Sequence, residues 1–144
     1  MRKSLFVLAV LLALSSVVFS APGENKEISA AREAATAWVS KLDANQFSEC
    51  WDRFSTDSKK AVPRWIWNIQ CKMGRSTLGK ARSRVEKSAE RSSKSPGGRT
   101  GEFVLFTYET SSEKKGLVIE RVPVQKDHDK EWRVCGYSIG QTKQ

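Results

Sequence analysis

The sequence has one histidine, His128, set in the charged run Asp127-His128-Asp129-Lys130. No Ser/His/Asp order, GxSxG, HExxH or Walker-type glycine loop occurs, which removes the common hydrolase, metallopeptidase and nucleotide-hydrolase signatures. Three adjacent residues of an extended chain do not converge on one ion, and no second ligand cluster exists. Asp127, His128 and Asp129 therefore read as a solvated turn, and no metal or cofactor is called for. Cysteine is scarce: Cys50, Cys71 and Cys135, with no CxxC pair, so neither a zinc site nor a redox motif is suggested. Aromatic residues are absent from residues 74–101, which argues against stacking on single-stranded nucleic acid. There are no internal repeats, and the only biased segment is the Ser-rich stretch 92–101.

Within the 144 residues, the unbroken apolar run at 5–14 falls short of the about 20 residues that span a bilayer. Arg2 and Lys3 precede it, and Val18-Phe19-Ser20 followed by Ala21-Pro22-Gly23 supplies a cut site. Residues 1–20 read as a signal peptide, with a periplasmic or secreted destination. Its removal takes two positive charges from the formal +9 and leaves no transmembrane segment. Much of the remaining charge is local: residues 72–94 hold eight Lys or Arg against Glu86 and Glu90.

Residues 21–27, polar and containing Pro22 and Gly23, read as a flexible lead-in. Ile28, Ala31, Ala35, Trp38 and Leu42 then recur at helical spacing, and Asn45 suits a left-handed cap. Phe47, Cys50, Trp51 and Phe54 mark a short second helix. Pro63 opens a third, whose stripe is Val62, Trp65, Ile66, Ile69 and Met73. From Lys80 the period falls to two, with Ala81, Ser83, Val85 and Ala89 inward and Lys80, Arg82, Arg84, Glu86 and Glu90 outward. Residues 102–111, EFVLFTYETS, are the most strand-like stretch and are apolar on both parities, so a central strand covered on both faces is expected. Residues 117–124 and 131–139 supply two more strands, with Pro123 marking an edge or bulge. The expected fold is α+β: three N-terminal helices packed on a curved four-stranded antiparallel sheet. The domain spans residues 28–140, with 141–144 a polar tail.

The segments AREAATAWVSKLDANQFSECWDRFS, PRWIWNIQCKMG, GEFVLFTYETS, VIERVPV and EWRVCGYSI together resemble an exported bacterial family, domain of unknown function 4019. The ending Trp132-Arg133-Val134-x-Gly136-Tyr137 is the most specific piece. The resemblance implies a small α+β domain similar to the nuclear-transport-factor-2-like cone folds, and no known activity. The cysteines and the Trp65-x-Trp67 pair look particular to this chain.

Glu120 shares strand parity with Val118, Val122 and Val124. A carboxylate there needs a partner or a cavity, because an unpaired buried charge is costly. Tyr108 and Arg133 are the candidate partners, and Glu120, Tyr108, Arg133, Tyr137 and Trp67 are the pocket candidates. Trp67 falls off the Trp65–Ile69 stripe, on the side of Cys71, and lines a pocket, a partner surface or the helix flank. Lys80, Arg82 and Arg84 form either a stripe for anions or a solvated edge. A helical hairpin brings Cys50 toward Cys71, so a Cys50–Cys71 disulfide with Cys135 reduced is expected, although the off-stripe place of Cys71 points it away.

The function read from these residues is a non-enzymatic binding domain for a small ligand or a protein partner in the cell envelope, with no specific nucleic-acid partner. A cone-fold lyase or isomerase with Glu120 as base, and an electrostatic binder of anionic envelope polymers, are the alternatives. The two-sided apolar strand also raises a homodimer through the sheet.

Overall fold

The computed structural model describes residues 22–142; the expected signal peptide, residues 1–20, and its expected cut lie outside them. Four helices come first: α1 (Pro22–Asp43), α2 (Phe47–Asp52), α3 (Thr56–Ala61) and α4 (Arg64–Leu78). Five strands follow: β1 (Ala81–Lys94), β2 (Thr100–Ser112), β3 (Gly116–Lys126), β4 (Trp132–Val134) and β5 (Ser138–Gln141). The class is α+β as expected, with a curved, unclosed antiparallel sheet. β2 lies between β1 and β3, and both β4 and β5 pair with the far edge of β3.

The lead-in is helical rather than loose. α1 starts at Pro22, where a missing N–H costs nothing. Glu27 ties this helix to the sheet, accepting bonds of 3.0 and 3.1 Å from Lys126 Nζ and of 3.0 Å from Trp132 Nε1. The α1 stripe behaves as its spacing predicts: Ala31, Ala35, Trp38 and Leu42 are buried. Asn45 takes φ 58°, the left-handed turn that ends the helix. The extra helix, α3, is one that the Ser55-Thr56-Asp57-Ser58 run concealed. Ser55 caps it, and buried Asp127 accepts from both the Thr56 N–H and its hydroxyl at 2.9 Å.

Two faces differ from expectation. On α4 the buried side chains are Trp67 and Cys71, whereas Trp65, Ile69 and Met73 point outward. Trp67 is drawn inward because its indole N–H donates to the Phe47 carbonyl at 2.8 Å, while its ring packs on Trp38 and Phe54. In β1, Ala89 is inward as expected, but Val85 is exposed and Arg84 faces the core side. Register shifts between Ala81 and Ser83 and between Glu86 and Ser88 reverse the parity twice, so no single alternation describes the strand.

β2 is central, and its face bearing Val104, Phe106, Tyr108 and Thr110 is buried. Its other face is mixed: Phe103 is buried, while Leu105, Thr107 and Glu109 are half-exposed. The expected last strand is split. Proline 123 sits opposite the break, accepting from the Cys135 N–H at 2.8 Å and packing on Gly136, where a Cβ would meet the proline ring at 3.1 Å. Residues 135–137 leave the ladder there, and β5 rejoins β3 at Arg121. Gln141, expected as the first residue of the polar tail, is instead the last residue of β5.

Candidate functional site

Two features meet at Tyr137, a buried ion network and an open cleft. The network starts from Glu120, which is 2 % exposed. Arg84 Nε donates to Glu120 Oε1 at 2.8 Å, and its two terminal nitrogens donate to both Asp43 oxygens at 2.7 and 3.0 Å. The Thr110 hydroxyl and the Tyr137 hydroxyl complete the Glu120 shell. Arg75 stands 3.5 Å from Asp43. Two helices (α1 and α4), three strands (β1, β2 and β3) and the link carrying Tyr137 thus converge on two carboxylates and two guanidinium groups.

Burial alone would raise the Glu120 carboxyl, but the Arg84 hydrogen bond and charge, with Thr110 and Tyr137, hold it below the ordinary carboxylate range. Burial works against the charge on Arg84, and Asp43 and Glu120 more than offset it. The Tyr137 phenol is pushed up by burial and by its carboxylate partner. At neutral pH, then, Glu120 is ionised, Arg84 is charged and Tyr137 is protonated.

The cleft has a volume of about 760 Å³ and opens on the other side of Tyr137. Its floor is aromatic: Phe54, Trp67 and Tyr137, all packed around fully buried Trp38 at centroid separations of 5.4 to 5.7 Å. Val62 and Cys135 add apolar wall, and Lys60, Arg99 and Asp57 stand at the rim. Arg99 donates to Asp57 at 2.9 Å. A smaller apolar cleft adjoins through Trp67, Gln70 and Tyr137, and Arg75 lines it with one guanidinium nitrogen lacking a hydrogen-bond partner.

The structure separates the pocket candidates. Glu120 and Tyr137 are bonded to each other, and Trp67 lines the cleft. Tyr108 lies opposite Glu120 in the β2–β3 register and stacks on Phe106, but its hydroxyl is not among the Glu120 donors. Arg133 is not a partner of Glu120. It pairs with Asp129 at 2.7 Å and Asp127 at 3.2 Å. Nor is the 127–130 turn simply solvated: Asp127 is buried, while His128 is exposed. Arg84, expected beside Lys80 and Arg82 on an outward stripe, belongs to the Glu120 network instead. Lys80 and Arg82 remain exposed.

Cys50, Cys71 and Cys135 are free thiols, so the Cys50–Cys71 bridge is not formed. The Cys50 thiol donates to the Trp38 carbonyl at 3.7 Å. Burial pushes both Cys50 and Cys71 up to about 12, which makes them poor nucleophiles and poor metal ligands. Among the described residues no group of three His, Cys, Asp or Glu could hold a metal ion.

Asp43, Arg75, Phe54, Lys60 and Arg99 were not legible as site residues. Asp43 and Arg84 are separated by 41 positions, and no local spacing signals such a pair. Phe54 was visible only as a core position of a short helix.

No curated protein and no solved structure matches the chain. The family described as "Protein of unknown function (DUF4019)" matches residues 34–137, from the middle of α1 to Tyr137, and the chain belongs to that family.

Proposed function

We propose that this is an exported, non-catalytic binding domain of the cell envelope whose ligand is a small, flat, apolar molecule bearing one anionic group. The aromatic floor of the cleft carries this reading. Phe54, Trp67 and Tyr137 offer ring faces at a volume suited to a small molecule. Lys60 and Arg99 at the rim would meet the anion, with Arg99 exchanging part of its bond to Asp57.

A lyase or isomerase using Glu120 as base is less well supported. A base needs an accessible lone pair within reach of the substrate proton. Glu120 spends its oxygens on Arg84, Thr110 and Tyr137, and the phenol ring stands between it and the cleft. The likeness to nuclear-transport-factor-2-like cones belongs to the same proposal. A cone would place its ligand between the first helix and the sheet, where Trp38, Phe106 and the Glu120 network fill the space here.

Anilinonaphthalene sulfonate, a flat apolar anion, is a suitable probe. One saturable site with energy transfer from tryptophan is expected, and Lys60→Gln with Arg99→Gln should weaken it about tenfold, the equivalent of ~1.4 kcal/mol. Probe binding that ignores both substitutions would remove the cleft as the site.

A further inference from the structure

From Ser58 to Val85 the sequence has no Asp or Glu. Within that window α4 turns an apolar stripe to the outside. Trp65, Ile69 and Met73, spaced by four, are 65 %, 50 % and 67 % exposed. The opposite face is buried through Trp67 and Cys71. The helix is therefore apolar on two sides and covered on one, which is unusual for a surface helix. Lys72 lies three residues beyond Ile69, hence on the outward side. Exposed Lys80 and Arg82 follow directly after the helix. Glu113, bonded to the Lys80 N–H at 3.1 Å, balances part of the charge at that end.

We propose that this face of α4 rests on an anionic lipid surface. Trp65, Ile69 and Met73 line neither of the clefts described above, so the stripe suits a plane better than a recess. Indole rings favour the level of lipid headgroups, and lysines bury their stems while keeping the ammonium in water. Basic residues beside such a helix supply the attraction to anionic headgroups. A second copy is the weaker occupant, because pairing two such faces would set Lys72, Lys80 and Arg82 of one copy near those of the other, while Glu113 and Asp52 are already bonded to the Lys80 N–H and to Arg64. This inference does not depend on the ligand proposed for the cleft.

Hydroxyl-radical footprinting of the full chain reads the helix locally, whatever the N-terminal apolar run does. The probes are vesicles of phosphatidylcholine with and without phosphatidylglycerol. Oxidation of Trp65 and Met73 should slow severalfold with the phosphatidylglycerol vesicles, and high salt should reverse it. Leu117, exposed at the start of β3, should be oxidised equally throughout. Lys72→Gln should weaken vesicle binding about fivefold. Trp65→Ser with Met73→Gln, both exposed, should leave the fold intact by circular dichroism and slow oxidation at Ile69 no further on vesicle addition.

Unchanged oxidation at Trp65 and Met73 overturns the proposal, as does equal protection by phosphatidylcholine alone. Protection that grows with protein concentration in the absence of lipid assigns the face to a second copy. Protection by polyglutamate equal to that by anionic vesicles assigns it to an acidic polypeptide.

Discussion

Replacing Arg84 with Met tests the buried network most directly. Methionine keeps most of the side-chain volume and removes the charge. Three charge-assisted hydrogen bonds are lost, one to Glu120 and two to Asp43. Breaking a buried pair by removing one partner costs about 3–5 kcal/mol, because it leaves an uncompensated charge. The low end applies here. Thr110 and Tyr137 still donate to Glu120, and Arg75 stays near Asp43. A loss of about 3 kcal/mol is expected at neutral pH, a large share of the 5–15 kcal/mol typical of a domain.

The pH dependence separates this cause from simple packing loss. In the native chain the folded Glu120 value lies below its ordinary 4.5, so its contribution is complete above that value and fades as acid lowers the pH through the folded one. Without Arg84, burial is offset only by the Thr110 and Tyr137 hydroxyls, and the folded value moves up. Folding then favours protonated Glu120, and the deficit should shrink as the pH falls toward 4.5. Urea unfolding at a series of pH values, followed by tryptophan fluorescence, measures both curves. A deficit below about 1 kcal/mol, the size of an exposed pair, would refute the argument, and so would one that stays constant with pH.

Three other outcomes follow from the packing. Asp127→Ala should cost about 2–3 kcal/mol, since it strips a buried acceptor from two Thr56 donors and Arg133; hydrogen exchange should show α3 opening first. The native protein should resist alkylation at Cys50 and Cys71 at pH 8, because both thiols are buried and pushed up to about 12, whereas the denatured, unreduced protein should take label at all three cysteines. Light scattering should give the mass of one chain at micromolar concentration without lipid, because the outer face of β2 carries Thr107 and Glu109 and is not the apolar surface a twin subunit needs.

Helices α1, α2 and α4, the helix-then-strand order and the central strand are legible in the sequence, because hydrophobic spacing reports burial within a segment; α3, which buries no residue of its own, is not. Nor does the sequence tell which of two apolar faces of α4 is the inner one. Trp65, Ile69 and Met73 make the stronger stripe, yet Trp67 wins the interior through its bond to the Phe47 carbonyl and its two aromatic neighbours, Trp38 and Phe54. Parity failed in β1 because bulges are set by what the strand meets, and Arg84 meets acids on α1 and β3. The strand parity that Glu120 shares with Val118, Val122 and Val124 marks it as a carboxylate needing a partner, and it is buried with them. Its partner is not legible there, because Arg84 and Arg133 are equally basic in sequence, and only the register brings Arg84 across from Thr110. The break at Cys135 was foreshadowed by Pro123, but one strand away from where it appears.

The long first helix has a consequence for how the chain reaches its native state. α1 is complete before any strand is made, yet its inner side packs on β2, β3 and β4 as well as α2. The strands β1, β2 and β3 join through short turns and form from neighbours, whereas closing α1 onto them spans most of the chain; the Glu27–Trp132 bond joins positions 105 apart. Such late, long-range docking slows folding. During it Trp38, Leu42 and Val39 stay uncovered, and the growing chain is most exposed to aggregation in that interval. Helix α1 is thus made first and sealed last.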